Sequence, residues 1–275
     1  MPVKPIFIIV FLLCAFATTA ENKFEIPRSN IVEIKDPLSG RIYPLFVKLP
    51  RSYAANSNKA YPVIYLTDAM YSFQVVSGAT RFAMNSAKMD EAIIVGISYS
   101  KGSRGPSSRV RDYTHQVAPN WKLETGKAQA HAQFIKKSVF GYLNKHYRVS
   151  GSRTFVGNSL GGLFGAYILF TDPTMFDNYV LGSPSTWYKN NDILNVKITP
   201  SLRSHKVYIG VGEYETPEFD SPDHDMVLGA KQLKLKLSDP LLPHIQVRLN
   251  VILGASHETA FPTTATQGLY WIFKK

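Results

Sequence analysis

The sequence predicts an α/β fold in which helices cover both faces of one central, mostly parallel sheet. Short runs rich in β-branched residues alternate with helical segments, which is the order of elements in a wound α/β sheet. Near the start, residues 31–35 and 42–49 alternate apolar and polar side chains around a turn, so they predict an antiparallel hairpin at one sheet edge. With 275 residues, 45% of them hydrophobic, the chain can bury one large core, and we expect residues 21–275 to form a single domain.

The remaining elements follow in chain order. Five short apolar runs predict strands that are buried on both faces, at residues 62–66, 92–97, 154–156, 206–211 and 245–253. Helical patterns predict helices at residues 126–146, 160–171, 225–237 and 264–273. Residues 98–121 are basic, rich in glycine and serine and dotted with aromatic residues, which predicts a long irregular loop. Loops of this length usually border functional sites.

The first twenty residues are typical of a secretory signal peptide. Lys4 gives a positive start, residues 6–16 form an apolar centre, and small residues follow at 17–20. An uncleaved anchor is the less favoured alternative, because the apolar run falls short of the roughly 20 residues that span a bilayer. The single cysteine, Cys14, lies in this segment, so the mature chain would form no disulfide. We expect export to the periplasm or the outside medium, with no membrane span after cleavage.

The chain is strongly basic. It has 31 Lys+Arg against 20 Asp+Glu, a formal net charge of +11, and removal of residues 1–20 takes away one lysine and leaves +10. The electrostatic field of such a positive charge favours binding of an anionic substrate, an acidic envelope surface or anionic lipid headgroups. Nucleic acid is not an expected partner, because we expect export and find no motif dense in lysine and arginine. The oligomeric state cannot be inferred from these patterns.

A G-x-S-x-G pentapeptide stands between an apolar run and an amphipathic helical pattern, with Ser159 at its centre. A serine hydroxyl is a weak nucleophile, and a tight turn from a strand into a helix exposes it to a base. Gly157 and Gly161 allow that turn, because they lack the β-carbon that would keep strand and helix apart. The motif in this context predicts that Ser159 is a nucleophile. The alternative is a glycine-rich turn of a non-catalytic α/β protein.

A serine nucleophile needs a base and a group that orients it. His257 lies in a polar loop directly after the last predicted strand, where serine hydrolases of this chain order keep their histidine. The orienting carboxylate should follow the preceding strand, and there Glu215 is the first choice and Glu213 the second. Asp223 and Asp225 are further candidates, and all these acids could instead serve the start of the next helix.

Two backbone N–H groups should stabilise the negative charge that develops on the substrate oxygen. Chain order places one at Leu160, directly after the nucleophile, and the other in the turn after the third strand. In that turn we choose Met70 over Ala69. This chemistry needs no metal ion and no organic cofactor.

These residues bring a family resemblance into view over almost the whole mature chain. The chain resembles the esterase D-like, or putative-esterase, group of α/β-hydrolases, and within it the branch of bacterial siderophore esterases that act on enterobactin and salmochelin. The matching segments are residues 61–68, 111–114, 157–163, 182–187, 212–216 and His257. Two positions depart from the group's pattern: Ala69 stands where glycine is usual after the aspartate, and Asn158 stands where histidine is common.

The resemblance implies an α/β-hydrolase fold in which Ser159 is the nucleophile and His257 the general base and then the general acid. It implies that residues 182–187 line the acyl pocket. The periplasmic siderophore esterases of the group work with a Ser-His pair, so Glu215 either completes a triad or supports the pair.

We therefore expect an exported serine hydrolase of carboxylic esters. Arg111 and Tyr113, where the long loop regains a pattern, and Trp187 would bind substrate. Charge attraction and ring stacking would suit an anionic aromatic ester such as a catecholate siderophore. An acyltransferase or thioesterase on the same machinery, and a ligand-binding protein in which Ser159 is a relic, are the alternatives.

Overall fold

The computed structural model describes Met1 and residues 24–275. The predicted signal peptide, with Cys14, lies outside the described residues. Within residues 24–275, eight strands form one sheet in the order β1-β2-β4-β3-β5-β6-β7-β8. The strands are β1 Ser29–Lys35, β2 Ile42–Lys48, β3 Tyr61–Leu66, β4 Ile93–Ile97, β5 Val149–Asn158, β6 Asn178–Gly182, β7 His205–Gly212 and β8 Ile245–Ile252.

The sheet is mostly parallel. β1 pairs with β2 and β2 with β4 in antiparallel fashion, and every pairing from β4 through β3 to β8 is parallel. The predicted fold class and the predicted N-terminal hairpin are thus confirmed. Because the parallel strands run in one direction, the turns that follow β3, β5, β6, β7 and β8 meet at the same edge of the sheet.

Helices cover both faces of the sheet. In the described part of the chain they are α1 Ala69–Asn85, α2 Gly105–Tyr113, α3 Ala128–Phe134, α4 Phe140–His146, α5 Leu160–Thr171, α6 Met226–Leu237 and α7 His257–Phe273. One buried cluster lies under α1 and α7, and the larger cluster lies on the other face under α2 to α6. No helix among the described residues is long and apolar enough to cross a membrane.

Most predicted helices are present, with two differences in detail. The helix predicted at residues 126–146 is interrupted by a π-helical segment, Ile135–Val139, between α3 and α4. The last helix begins at His257 rather than at residue 264, and Pro262 lies inside it. Ser256 caps this helix, and its hydroxyl and that of Thr259 each accept a hydrogen bond from the other residue's backbone N–H, so the chain is already helical before the proline.

The long irregular loop predicted at residues 98–121 is wrong in part, because it contains α2. This helix begins with Gly105 and Pro106, and the side chains it buries include Ser108, Arg111 and Asp112. Buried polar side chains give no apolar periodicity, so the pattern of the segment is that of a loop. Strand β6 is also absent from the predicted elements, and its five residues form the strand next to β5.

Candidate active site

Ser159 occupies a strained turn between β5 and α5. Its backbone angles, φ 58° and ψ −119°, lie in a region that residues with a β-carbon rarely adopt. A β-carbon on Gly157 would overlap the carbonyl oxygen of Gly161, and one on Gly161 would overlap Oγ1 of Thr67. Both glycines are therefore required by close backbone packing, and the turn has the geometry that the pentapeptide predicts.

His257 and Glu215 form a hydrogen-bonded pair at the same edge of the sheet. Glu215 follows β7, His257 is the first residue of α7, and 2.6 Å separates His257 Nδ1 from Glu215 Oε2. Glu215 is fully buried, and its other oxygen accepts hydrogen bonds from the Gly212 N–H and the Ser183 hydroxyl, both at 2.6 Å. These bonds hold the carboxylate in one orientation, so that it can fix the imidazole.

Two of the other candidate acids make different contacts. Glu213 accepts a hydrogen bond from the Gly254 N–H at 2.8 Å, and Asp225 caps α6 through the Leu228 N–H at 2.7 Å. Among the four acids considered, the structure thus brings Glu215 to His257. Strand β7 ends at Gly212, and the turn that follows directs Glu215 back toward the sheet edge.

The carboxylate also sets the protonation of the imidazole. The hydrogen bond with Glu215 raises the pKa of His257, and the negative charges of Asp220 and Glu258 add to this effect while burial opposes it. Because Nδ1–H donates to Glu215, the neutral ring carries its lone pair on Nε2. That nitrogen is the one available to accept a proton.

The segment after β6 contacts both halves of the site. Ser159 Oγ lies 3.1 Å from Ser185 Oγ, and the Ser159 N–H donates to the carbonyl of Gly182 at 2.8 Å. Two residues before Ser185, Ser183 donates its hydroxyl to Glu215. Within the described residues the hydrogen-bond partner of Ser159 Oγ is Ser185 and not His257. Catalytic hydrogen bonds are often long without substrate and tighten when substrate binds.

The predicted oxyanion donors stand at two helix N-termini that lie side by side. Leu160 begins α5, so its N–H has no acceptor within that helix. At the start of α1 the N–H groups of Tyr71 and Ser72 donate to the carbonyl of Asp68, which leaves those of Ala69 and Met70 without a helical acceptor. The choice of Met70 over Ala69 stays a prediction.

Arg109 connects the two turns from which these helices start. Its guanidinium contacts both carboxylate oxygens of Asp68, at 3.0 and 3.3 Å, and donates to the carbonyl of Asn158 at 3.4 Å. Tyr113 lies beneath this turn, and its hydroxyl accepts a hydrogen bond from the Asp68 N–H at 3.3 Å. Arg109 and Tyr113 therefore support the backbone around the candidate oxyanion donors.

The predicted substrate contacts of Arg111 and Tyr113 need correction. Arg111 is 5% exposed and pairs with Asp112 at 2.8 Å, and Tyr113 is 2% exposed. Both side chains point into the protein, because α2 turns its polar side toward the sheet. Tyr113 is closed to a ligand, and Arg111 borders a separate pocket that Ser159 and His257 do not line.

Trp187 follows Ser185, the residue in contact with Ser159, by two positions in the chain. It is partly buried, and it stacks on His224 with ring centroids 3.9 Å apart and on Trp121 at 6.2 Å. Trp121 is 36% exposed, so the stack is open to solvent at one end. A role for Trp187 in substrate binding stays a prediction. Within residues 24–275 no cluster of three or more His, Cys, Asp or Glu residues is arranged to hold a metal ion.

Comparison with known proteins matches the family model described as "Putative esterase" to residues 38–251. Among curated proteins the chain is 31% identical over 187 residues to the ferri-bacillibactin esterase BesA of Bacillus subtilis, covering 63% of this chain and 64% of BesA. It is 30% identical over 170 residues to a siderophore enterobactin esterase of Emericella nidulans, covering 55% of this chain and 56% of the fungal protein. The chain thus aligns with less than two thirds of either relative.

Two solved structures have the same fold over nearly their whole length. The BES protein from Bacillus cereus superposes with a TM-score of 0.78 at 26% identity, covering 94% of this chain and 99% of that protein. The siderophore hydrolase EstB from Aspergillus nidulans gives 0.79 at 22% identity, covering 92% and 97%. The family match spans well over half of the chain and agrees with the sheet and turns described above, so the protein belongs to the "Putative esterase" family of α/β-hydrolases.

Proposed function

We propose that this protein is an exported serine esterase that hydrolyses carboxylic esters through an acyl-enzyme on Ser159. The observation that carries the proposal is the pairing of a strained serine turn with an imidazole that a buried carboxylate orients, both at one sheet edge. A strained backbone conformation at a serine lowers the stability of the fold by about 1–3 kcal/mol, and such conformations cluster at functional sites. Export rests on the leader pattern of residues 1–20.

The reaction would proceed in two halves. Ser159 Oγ attacks the ester carbonyl while His257 Nε2 takes its proton, and the N–H groups of Leu160 and Met70 stabilise the oxyanion. The intermediate then expels the alcohol, which receives the proton from His257 and leaves the acyl group on Ser159. Water attacks this acyl-enzyme with His257 as base. Throughout, Glu215 holds Nδ1–H and stabilises the imidazolium, so it would complete a triad.

An anionic aromatic ester of the siderophore type fits the surroundings best. Trp187 follows the segment that contacts Ser159 and stacks with Trp121 and His224, and aromatic acyl groups stack on such surfaces. The relatives are named for ferri-bacillibactin and enterobactin. The basic charge of the chain would attract such a substrate.

Labelling with a fluorophosphonate tests the proposal directly. We expect the wild-type protein to be modified at Ser159, as located by peptide mass spectrometry, and to hydrolyse p-nitrophenyl butyrate. We also expect a ferric catecholate trilactone to slow the labelling and to be cleaved. A protein that is not labelled and cleaves no ester, yet binds the trilactone, would be a ligand-binding relative and not an esterase.

The pH dependence of kcat/KM should show the influence of Glu215. His257 must be neutral to accept a proton, and its pKa is raised, so we expect activity to fall with decreasing pH at an inflection above 6.5. Glu215→Gln removes the charge that stabilises the imidazolium, so the inflection should move to lower pH while kcat falls about 10³-fold. The matched control is Glu213→Gln, a like change two residues away, which should leave both unchanged. An unmoved inflection in Glu215→Gln would exclude this role.

A further inference from the structure

The hydroxyl of Ser185 is within hydrogen-bond distance of the candidate nucleophile. Ser185 Oγ lies 3.1 Å from Ser159 Oγ. Within the described residues, Ser159 Oγ is the hydrogen-bond partner of this hydroxyl. Ser185 is 1% exposed, so solvent has little access to the hydroxyl. A buried hydroxyl that donates to nothing carries a desolvation penalty.

The direction of this hydrogen bond follows from the partners that each hydroxyl has. Donation to Ser159 is the one way in which the proton of Ser185 finds an acceptor among the described residues. The proton of Ser159 has a different acceptor in the proposed reaction, namely Nε2 of His257. With Ser185 as the donor and Ser159 Oγ as the acceptor, the proton of Ser159 is left free for the imidazole.

The backbone holds Ser185 firmly in this place. Its N–H donates to the carbonyl of Ser159 at 3.2 Å, and the N–H of Ser183 donates to Gly210 at 2.7 Å. Pro184 packs against the start of α5, where a β-carbon on Gly162 would come within 3.0 Å of the proline Cα. The hydroxyl thus comes from a rigid segment, as a preorganised donor should.

We infer that Ser185 is a further catalytic residue, whose hydroxyl donates a hydrogen bond to Ser159 Oγ in both halves of the proposed reaction. The inference rests on the proposed function. In acylation the Ser159 O–H bond breaks, its proton goes to Nε2 of His257, and the Oγ lone pair forms the bond to the carbonyl carbon. The carbonyl π pair moves to the substrate oxygen. Ser185 keeps its own proton and stabilises the negative charge that grows on Oγ.

The same hydrogen bond acts when the acyl-enzyme breaks down. There the bond between Oγ and the acyl carbon breaks, its electron pair returns to Oγ, and His257 supplies the proton. Because the donor faces the oxygen that gains charge in each half, its loss should lower the rate of both and should leave substrate binding nearly unchanged.

Variants at Ser185 test the inference. Ser185→Ala should lower kcat for p-nitrophenyl butyrate and the second-order rate of fluorophosphonate labelling by about 10- to 100-fold, with KM changed less than about twofold. Ser185→Thr, which keeps a hydroxyl, should recover most of the rate. The matched control is Ser77→Ala, because Ser77 is also a buried serine but its Oγ has no hydrogen-bond partner. This control should match the wild type.

The outcomes separate this inference from the proposed function. If Ser159→Ala is inactive while Ser185→Ala labels at the wild-type rate, the esterase stands and the role of Ser185 is overturned. If Ser185→Thr is as slow as Ser185→Ala and both have the thermal stability of the wild type, the hydroxyl is not what matters, and the inference again fails.

If Ser185→Ala does not fold, Ser185→Cys replaces it in the test, because its side chain has a similar volume and a weaker donor. Slow labelling of Ser185→Cys supports the role of Ser185, and labelling at the wild-type rate overturns it. Activity retained in Ser159→Ala would overturn the proposed function itself.

Discussion

Ser159→Ala is expected to lower kcat for p-nitrophenyl butyrate by about 10⁵-fold or more, leaving the residual rate that oxyanion stabilisation and substrate binding supply. The proposed reaction forms its covalent bond through Ser159 Oγ, and the nearest other hydroxyl, Ser185 Oγ, is buried behind it. Ser185 is therefore poorly placed to replace Ser159 as the nucleophile. Spectrophotometric release of p-nitrophenol measures the effect, and fluorophosphonate labelling should be lost with it.

The stability of this variant is its internal control. Alanine keeps a β-carbon, so the strained backbone of the turn and its packing against Gly157 and Gly161 stay as they are. We expect the melting temperature to change by no more than a few degrees. An active Ser159→Ala protein, retaining a tenth or more of the wild-type rate, would exclude Ser159 as the nucleophile.

His257→Ala is expected to have a comparable effect, also about 10⁵-fold in kcat. Without the imidazole the proton of Ser159 loses its proposed acceptor, and Glu215 cannot take the place of His257 because its carboxylate is fully buried. Added imidazole, which can enter the space left by the side chain, should restore part of the activity. The rate should be measured with and without it.

The matched control for this variant is His244→Ala, since His244 lies at the exposed start of β8, at the opposite end of the sheet. His244→Ala should have the activity of the wild type. Glu215 keeps its hydrogen bonds from Gly212 and Ser183 when His257 is removed, so the variant should still fold. A folded His257→Ala protein with more than about 1% of wild-type activity would rule out His257 as the base.

Local patterns predict the parts of the site that lie within a few residues of one another. The turn around Ser159 needs glycines on both sides for steric reasons, and these are visible in the sequence. The place of His257 follows from the order of strands and helices. The sequence ranks Glu215 above Glu213 as the orienting carboxylate but does not exclude Glu213. The turn after β7 decides which of the two carboxylates faces back toward the sheet.

The different contacts of Arg109 and Arg111 show what the sequence lacks. Residues two apart on a helix point to nearly opposite sides, so one of these arginines reaches Asp68 and the other faces the interior. The two arginines can be told apart only when residues 105–113 are known to form a helix. The buried polar side chains of this segment hide its helical pattern in the sequence. The substrate contact predicted for Arg111 is wrong for this reason.

Ser183 and Ser185 are missed for a different reason. Their contacts depend on β6 lying between β5 and β7, and its five residues are too short a run to be recognised by pattern. The family resemblance implies that residues 182–187 line the acyl pocket, but it does not single out these two serines. The pairing of the two serines with Glu215 and Ser159 comes from the register of three neighbouring strands, which a single sequence does not reveal.

The backbone conformation of Ser159, and the positive φ of 37° at Ser183, have a consequence for laboratory evolution. Each such residue is held in a conformation that glycine would adopt at lower energy, by about 1–3 kcal/mol. A population selected for heat resistance alone would thus gain from glycine at position 159 and would lose the proposed hydrolysis in the same step. At this turn a gain in thermal stability would therefore come with a loss of the proposed catalytic activity. Substitutions that raise the thermal stability without this loss should be sought at positions away from the turn.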